Sequence, residues 1–247
     1  SSSIPNIATV SANGNTATVM PTGNTFGTTV IMFRNSRNGY VGTINVTVKG
    51  DKMESIVASS LTAGTNFHAA LKADGTVWTW GDNTYGQLGN NSVTPSSMPV
   101  QVRNPISDGY LDGIVKVAQG KYHSVALASD GKVYTWGHGA DGQLGTGNTI
   151  SVDEPTDVTP SGVKFIDIAV GEEFALAVAS DGTVYSTGLN DFSQLGVAST
   201  AISARTSFAK IDGLSNIINV AAGDAFGMAL DKYGNVWTWG SNNKGQL

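Results

Sequence analysis

One phrase returns four times and fixes most of what this chain can fold into. V-W-T-W-G ends at Gly81 and again at Gly240, V-Y-T-W-G ends at Gly137, and V-Y-S-T-G ends at Gly188. These anchor glycines stand 56, 51 and 52 residues apart. Seventeen residues before each lies a further glycine: Gly64, Gly120, Gly171 and Gly223. Five residues after each begins a G-Q-L phrase: Gly86-Gln87-Leu88-Gly89, Gly142-Gln143-Leu144-Gly145, Ser193-Gln194-Leu195-Gly196 and Gly245-Gln246-Leu247. Three landmarks kept in register through four copies mark a structural repeat, whose units bury their apolar faces against neighbours.

Each copy reads as strands. In the second, I-V-K-V-A-Q alternates, Gly120 interrupts, H-S-V-A-L-A-S follows, and Asp130-Gly131 leads into K-V-Y-T-W-G. Asp-Gly between two β-rich runs signals a hairpin, because glycine takes the positive φ of a tight turn. Asp74-Gly75 and Asp181-Gly182 repeat the signal, and Tyr233-Gly234 keeps only its glycine. A short run such as Pro99-Val100-Gln101-Val102 supplies a fourth strand. Four strands in about 50 residues suit a propeller blade. The expected fold class is all-β, with blades at residues 53–104, 105–160, 161–212 and, incomplete, 213–247.

The frame G-x-x-[FH]…A-L…D-G-x-V-[WY]-x-W-G…G-Q-L-G resembles the repeat of the regulator of chromosome condensation family, from about Ile56 to Leu247. The resemblance implies a β-propeller, usually of seven blades, with histidine usual at the place of His123. It says less about function. The same propeller serves a nuclear exchange factor, a plant ultraviolet receptor, secreted β-lactamase inhibitors and bacterial surface proteins. The chain departs from the pattern in having four copies, in ending the fourth at Leu247, and in placing Thr187 where the other copies have Trp80, Trp136 and Trp239.

Residues 1–52 lack the frame. They read as three or four strands, and T-I-N-V-T-V-K-G at 43–50 resembles the last strand of a bacterial immunoglobulin-like module. Such a sandwich takes about 100 residues, so the segment is expected to be part of one, in a chain cut from a longer parent. The alternative is a strand-exchange arm.

Charged residues make up only 13% of the chain and the net charge is −5. With no Lys/Arg cluster, nucleic acid is not an expected partner. There are no cysteines, which excludes disulfides and thiolate metal sites. No apolar run reaches membrane-spanning length.

Chemistry-bearing residues are few. His123 occupies a position filled by Phe67, Phe174 and Phe226 in the other copies, and is expected to be a hydrogen-bonded packing residue. His68 has no evident partner, and His138 falls in a solvated loop. Asp74, Asp130 and Asp181 are turn residues, and Glu172-Glu173 stands isolated. No catalytic residue, metal site or cofactor is expected. The aromatic pairs at 78/80, 134/136 and 237/239, with Tyr185, alternate on one strand face and are expected to pack between blades.

The informative positions vary inside the fixed frame, between anchor glycine and G-Q-L. Tyr85, His138, Phe192 and Lys244 are the candidates for recognition, since propeller loops sit on a rigid base. The expected function is a non-enzymatic binding or assembly module on a bacterial or phage surface. Its partner would be a protein, or a second copy joined through open strand edges. A secreted inhibitor and an exchange-factor-like propeller are the alternatives; the acidic balance and the immunoglobulin-like head speak against the latter.

Overall fold

The computed structural model describes residues 61–247 in full and, before them, the backbone of four strands. The chain divides into two compact units, Ser1–Ser55 and Ile56–Leu247. In the first unit β1 (Ala8–Asn13) pairs antiparallel with β2 (Thr16–Pro21), and β3 (Gly27–Arg34) with β4 (Val41–Val48). The expected immunoglobulin-like packing depends on turns and side chains outside the described residues.

The second unit is a succession of antiparallel sheets, each a sequential meander. Blade 1 is β5 (Leu61–Ala63), β6 (Phe67–Leu71), β7 (Val77–Gly81) and β8 (Ser96–Gln101). Blade 2 is β9 (Ile114–Gln119), β10 (His123–Ala128), β11 (Val133–Gly137) and β12 (Val152–Asp157). Blade 3 is β13 (Phe165–Val170), β14 (Phe174–Ala179), β15 (Val184–Leu189) and β16 (Ala204–Lys210). Blade 4 has three strands, β17 (Ile217–Ala222), β18 (Phe226–Asp231) and β19 (Val236–Gly240).

The repeat landmarks have distinct physical tasks. The anchor glycines carry φ of 115°, 102°, 109° and 108°, a region that favours residues without Cβ. Gly64, Gly120, Gly171 and Gly223 lie against the rings of Phe67, His123, Phe174 and Phe226, where a Cβ would collide. The G-Q-L leucines Leu88, Leu144 and Leu195 are fully buried. Their carbonyls accept from the hydroxyls of Thr79, Thr135 and Ser186 on the third strand at 2.7, 2.6 and 2.9 Å.

The aspartates of the hairpins act as turn residues. Asp74 accepts from the Thr76 amide, Asp130 from Lys132 and Asp181 from Thr183, each at 3.0 Å. In blade 4, where the turn reads Tyr233-Gly234, Asp231 takes over. It accepts from the amides of Tyr233 and Asn235 at 2.9 Å.

Neighbouring blades are stitched at both ends by the main chain. At the Asp-Gly end, the amides of Ile114, Phe165 and Ile217 donate to the carbonyls of Gly75, Gly131 and Gly182 at 3.1, 2.9 and 3.0 Å. At the other end, Thr65, Lys121 and Glu172 donate to the carbonyls of Lys121, Glu172 and Asp224 at 3.2, 3.0 and 2.9 Å. Between the stitches lies apolar packing. Trp136 is fully buried and its indole N–H donates to Gln87 O, while Trp239 does the same to Gln194 O at 2.8 Å. These two aromatics therefore pack between blades.

Thr187 replaces the tryptophan in blade 3, and two groups share its task. The Thr187 hydroxyl reaches Gly142 O at 2.9 Å, and Phe208 on β16 fills the space. Gly89 rests on the Trp136 ring; its counterpart Gly145 rests on Phe208.

Inside, the first strands of the four blades surround a polar mouth of about 340 Å³. Below it Asp167, almost fully buried, accepts from Lys116 Nζ at 2.6 Å, Asn219 Nδ2 at 2.7 Å and the Val220 amide at 3.0 Å, joining three blades.

Candidate functional site

The turn between first and second strands and the loop after the third share one rim. The amides of Asp82, His138, Leu189 and Ser241, directly after the anchors, donate to the turn carbonyls of Asn66, Tyr122, Glu173 and Ala225, each at 2.9 Å. The glutamine of each G-Q-L phrase then holds the loop. Gln87, Gln143, Gln194 and Gln246 accept, through Oε1, the amides of Tyr85, Asp141, Phe192 and Lys244 at 2.8–2.9 Å. In blades 1, 2 and 4 the amide nitrogen of the same glutamine reaches the side chain after the anchor: Asp82, His138 and Ser241 at 3.2, 2.9 and 3.4 Å. The repeated glutamine thus fixes the geometry of two positions whose side chains vary.

At the boundaries of blades 1 to 3 these positions form one cluster. Tyr85 stands 4.5 Å from the His138 ring and 5.3 Å from Tyr122, ring centre to centre. Lys121 Nζ lies 5.8 Å from the Tyr122 ring centre and pairs with Glu172. Gln143 Nε2 donates to Glu173 Oε2 at 2.6 Å and contacts His138 Nδ1 at 2.9 Å. Donor atoms of His138, Asp141 and Glu173 lie within 4.8 Å of one another. Burial, reinforced by the nearby Asp141 carboxylate, pushes the Glu173 carboxyl up from its usual range. The carboxylate of Glu172 raises the Lys121 ammonium.

The structure brings two of the four candidate residues, Tyr85 and His138, into contact. Phe192, 55% exposed, and Lys244 occupy the matching loop place on blades 3 and 4. Two expectations need correction. His138 is not a solvated residue, since Tyr85, Gln143 and Glu173 enclose it until 18% of its side chain is exposed. Glu172 and Glu173 are not isolated, because blade succession sets them beside Lys121 and Gln143 of the preceding blade. Sequence reading missed Tyr122 and these glutamates. The signal was their place in G-x-x-[FH], which varies as freely as the loop. His123 also departs from expectation: it is fully buried, and among the described residues neither ring nitrogen has a hydrogen-bond partner. His68 rests against Trp80, 5.5 Å between ring centres.

The fold defines a β-propeller of repeated blades whose rim loops share one backbone geometry and vary in their side chains. The description "Regulator of chromosome condensation (RCC1) repeat" matches residues 74–127, 130–178 and 181–230, and a second form matches 58–87, 114–143, 165–194 and 217–246. The chain belongs to the RCC1 repeat family.

Among its relatives, the mouse E3 ubiquitin-protein ligase HERC2 is 32% identical over 204 residues, which are 81% of this chain and 4% of that protein. The human probable E3 ubiquitin-protein ligase HERC6 is 35% identical over 171 residues, 68% of the chain and 16% of the relative. Protein pim1 of Schizosaccharomyces pombe is 29% identical over 221 residues, 82% and 40% respectively. The chain therefore spans less than half the length of each of these three relatives, and the ligase activity in two of the names belongs to much longer proteins.

Two crystal structures share the fold. Yeast RCC1 (Prp20) bound to Kap60 has a TM-score of 0.65 at 22% identity, covering 87% of this chain and 52% of that one. Human WBSCR16 has 0.64 at 24%, covering 87% and 60%.

These relatives overturn the expected setting. They are eukaryotic ligases and RCC1-type proteins, so a secreted or surface-displayed module of a bacterium or phage is not what the chain resembles. The alternating run at 43–50 misled, because such a pattern describes a half-buried strand and not a compartment. Among the described residues no helix is long and apolar enough to cross a membrane.

Proposed function

We propose that this propeller is a protein-docking platform of the exchange-factor-like kind, engaging a folded partner through its loop rim. The observation that carries the reading is the glutamine clasp. It fixes the backbone of the loops in every blade and presents different side chains from each: Tyr85, His138 with Asp141, Phe192, and Lys244. Aromatic side chains on a rigid base make strong contact sites. A solved relative, yeast Prp20p, is described by its binding to Gsp1p and histones, which supports protein partners of that kind. The reading takes the propeller itself to be non-enzymatic, with any catalysis residing in other domains or in the partner.

The test is binding of the purified chain to a small GTPase and to histones, with nucleotide release from the GTPase followed by fluorescent GDP. Binding that weakens by about 2 kcal/mol in Tyr85→Ala or Phe192→Ala supports the reading. Absence of binding to both proteins sinks it. Faster GDP release identifies exchange; binding without release leaves a docking module.

A further inference from the structure

We propose that His138, Asp141 and Glu173 bind a divalent first-row transition cation, of the zinc class, at the boundary of blades 2 and 3. His138 and Asp141 are the first and fourth residues after the anchor Gly137, and Glu173 comes from the turn that opens β14. One donor atom of each lies within 4.8 Å of the others. Ligands about 2.1 Å from a shared zinc ion stand roughly 3–4 Å apart, so small side-chain rotations close the set. One imidazole with two carboxylates suits zinc and its neighbours, whereas calcium and magnesium favour all-oxygen shells.

The direction of the His138 lone pair points the same way. Gln143 Oε1 accepts the Asp141 amide at 2.9 Å, as the equivalent glutamine does in every blade. That bond orients the amide, so it is the Nε2 hydrogens that face His138 Nδ1 and Glu173 Oε2. Nδ1 is therefore an acceptor, and its lone pair is directed at the place where the carboxylate also points. A histidine paired with Glu173 as an ion would turn an N–H there instead. The amide group marks the point where the acceptors meet; a cation takes that point as the amide swings aside.

The repeat supplies its own control. At the boundary of blades 1 and 2 the same three positions hold Asp82, Tyr85 and Tyr122; between blades 3 and 4 they hold Leu189, Phe192 and Ala225. The fold does not require ligands there. Among the described residues, only this group of three brings metal-binding side chains together. Three protein ligands leave a coordination position for water or for a donor from outside. Seating a cation releases the Gln143 hold on the Asp141 amide in blade 2, while the glutamine clasps of the other blades stay closed.

The test uses the whole chain, freed of metal with a chelator. It is titrated with zinc chloride by calorimetry and with Co²⁺ by visible absorption. One ion per chain and the absorption of four- or five-coordinate cobalt are expected. His138→Ala, Asp141→Asn and Glu173→Gln should each weaken binding by roughly tenfold or more, while His68→Ala changes nothing. Absent saturable binding overturns the proposal, as does binding that survives all three variants or disappears in His68→Ala. Should the variants fail to fold, the ring resonances of the unaltered chain decide. Zinc must perturb His138; perturbation of His68 alone, or of no histidine, rejects the site.

Discussion

The indole N–H of Trp136 donates to the main-chain carbonyl of Gln87, 2.9 Å away, across the boundary between the first two blades. Trp136→Phe keeps a ring in the gap but leaves that buried carbonyl with only the long contact from the Ser124 hydroxyl, at 3.5 Å. A loss of about 1–3 kcal/mol is expected. Trp136→Ala adds a cavity and should lose about 3–5 kcal/mol. Urea unfolding of both variants measures the two terms separately.

Blade 3 solves the same problem with Thr187 and Phe208, so the two residues should be coupled. Thr187→Trp restores the repeat but drives an indole into volume that Phe208 already fills; overpacking of this kind costs about 1–3 kcal/mol. Phe208→Pro installs the residue that holds the matching fourth-strand position in the earlier blades, Pro99 and Pro155, and alone leaves a void. The double variant should be more stable than the sum of the two losses by at least about 1 kcal/mol. Strict additivity in a double-mutant cycle contradicts this account of the packing.

His123 should make the chain less stable in acid. Burial first, with a smaller contribution from the charge of His138, lowers its imidazole from 6.5 to about 3. The folded state therefore keeps it neutral while the unfolded chain binds a proton. Stability is unaffected above about pH 6.5 and falls as pH drops from there toward 3. His123→Phe, the residue of the other three blades, removes that dependence. It also removes two unpartnered buried nitrogens, and should raise stability at neutral pH by ~1 kcal/mol. Denaturation midpoints between neutral pH and pH 4 should show the gap between variant and parent widening as pH falls.

Asp167 is the clearest electrostatic joint. Asp167→Ala strands the Val220 amide and releases Lys116 and Asn219, with a loss of about 2–3 kcal/mol. Asp167→Leu should not recover it, because the amide remains without an acceptor. Hydrogen exchange at Val220 reads the effect locally: protection there should collapse in Asp167→Ala.

The blades were legible because backbone geometry imposes them on every copy. Glycines at positive φ, Asp-Gly hairpins and the buried G-Q-L leucine cannot be exchanged without strain, so they recur and show the period. Phe208 was not legible, since its part is defined by an absence elsewhere, the missing tryptophan at Thr187. The glutamine was visible as part of a phrase, but its clasp on Tyr85 and its counterparts requires the loop to be seen closed. Tyr122, Glu172 and Glu173 escaped for a different reason. Their partners lie one blade away, about 30 to 50 residues along the chain, and nothing local announces a meeting set by the angle between sheets. The location was misjudged because an alternating run describes how a strand meets water, not the compartment in which it works.

The stitches between blades are drawn from amide to carbonyl at both ends, and main-chain groups are the same in every residue. A blade therefore asks nothing of its neighbour's rim side chains in order to be seated correctly. Substitutions at Tyr85, His138, Phe192 or Lys244 alter what the rim displays while the sheets stay in line. Such a chain can acquire new partners by drift at a handful of loop positions, blade by blade, and a duplicated blade arrives already able to dock and immediately free to diverge.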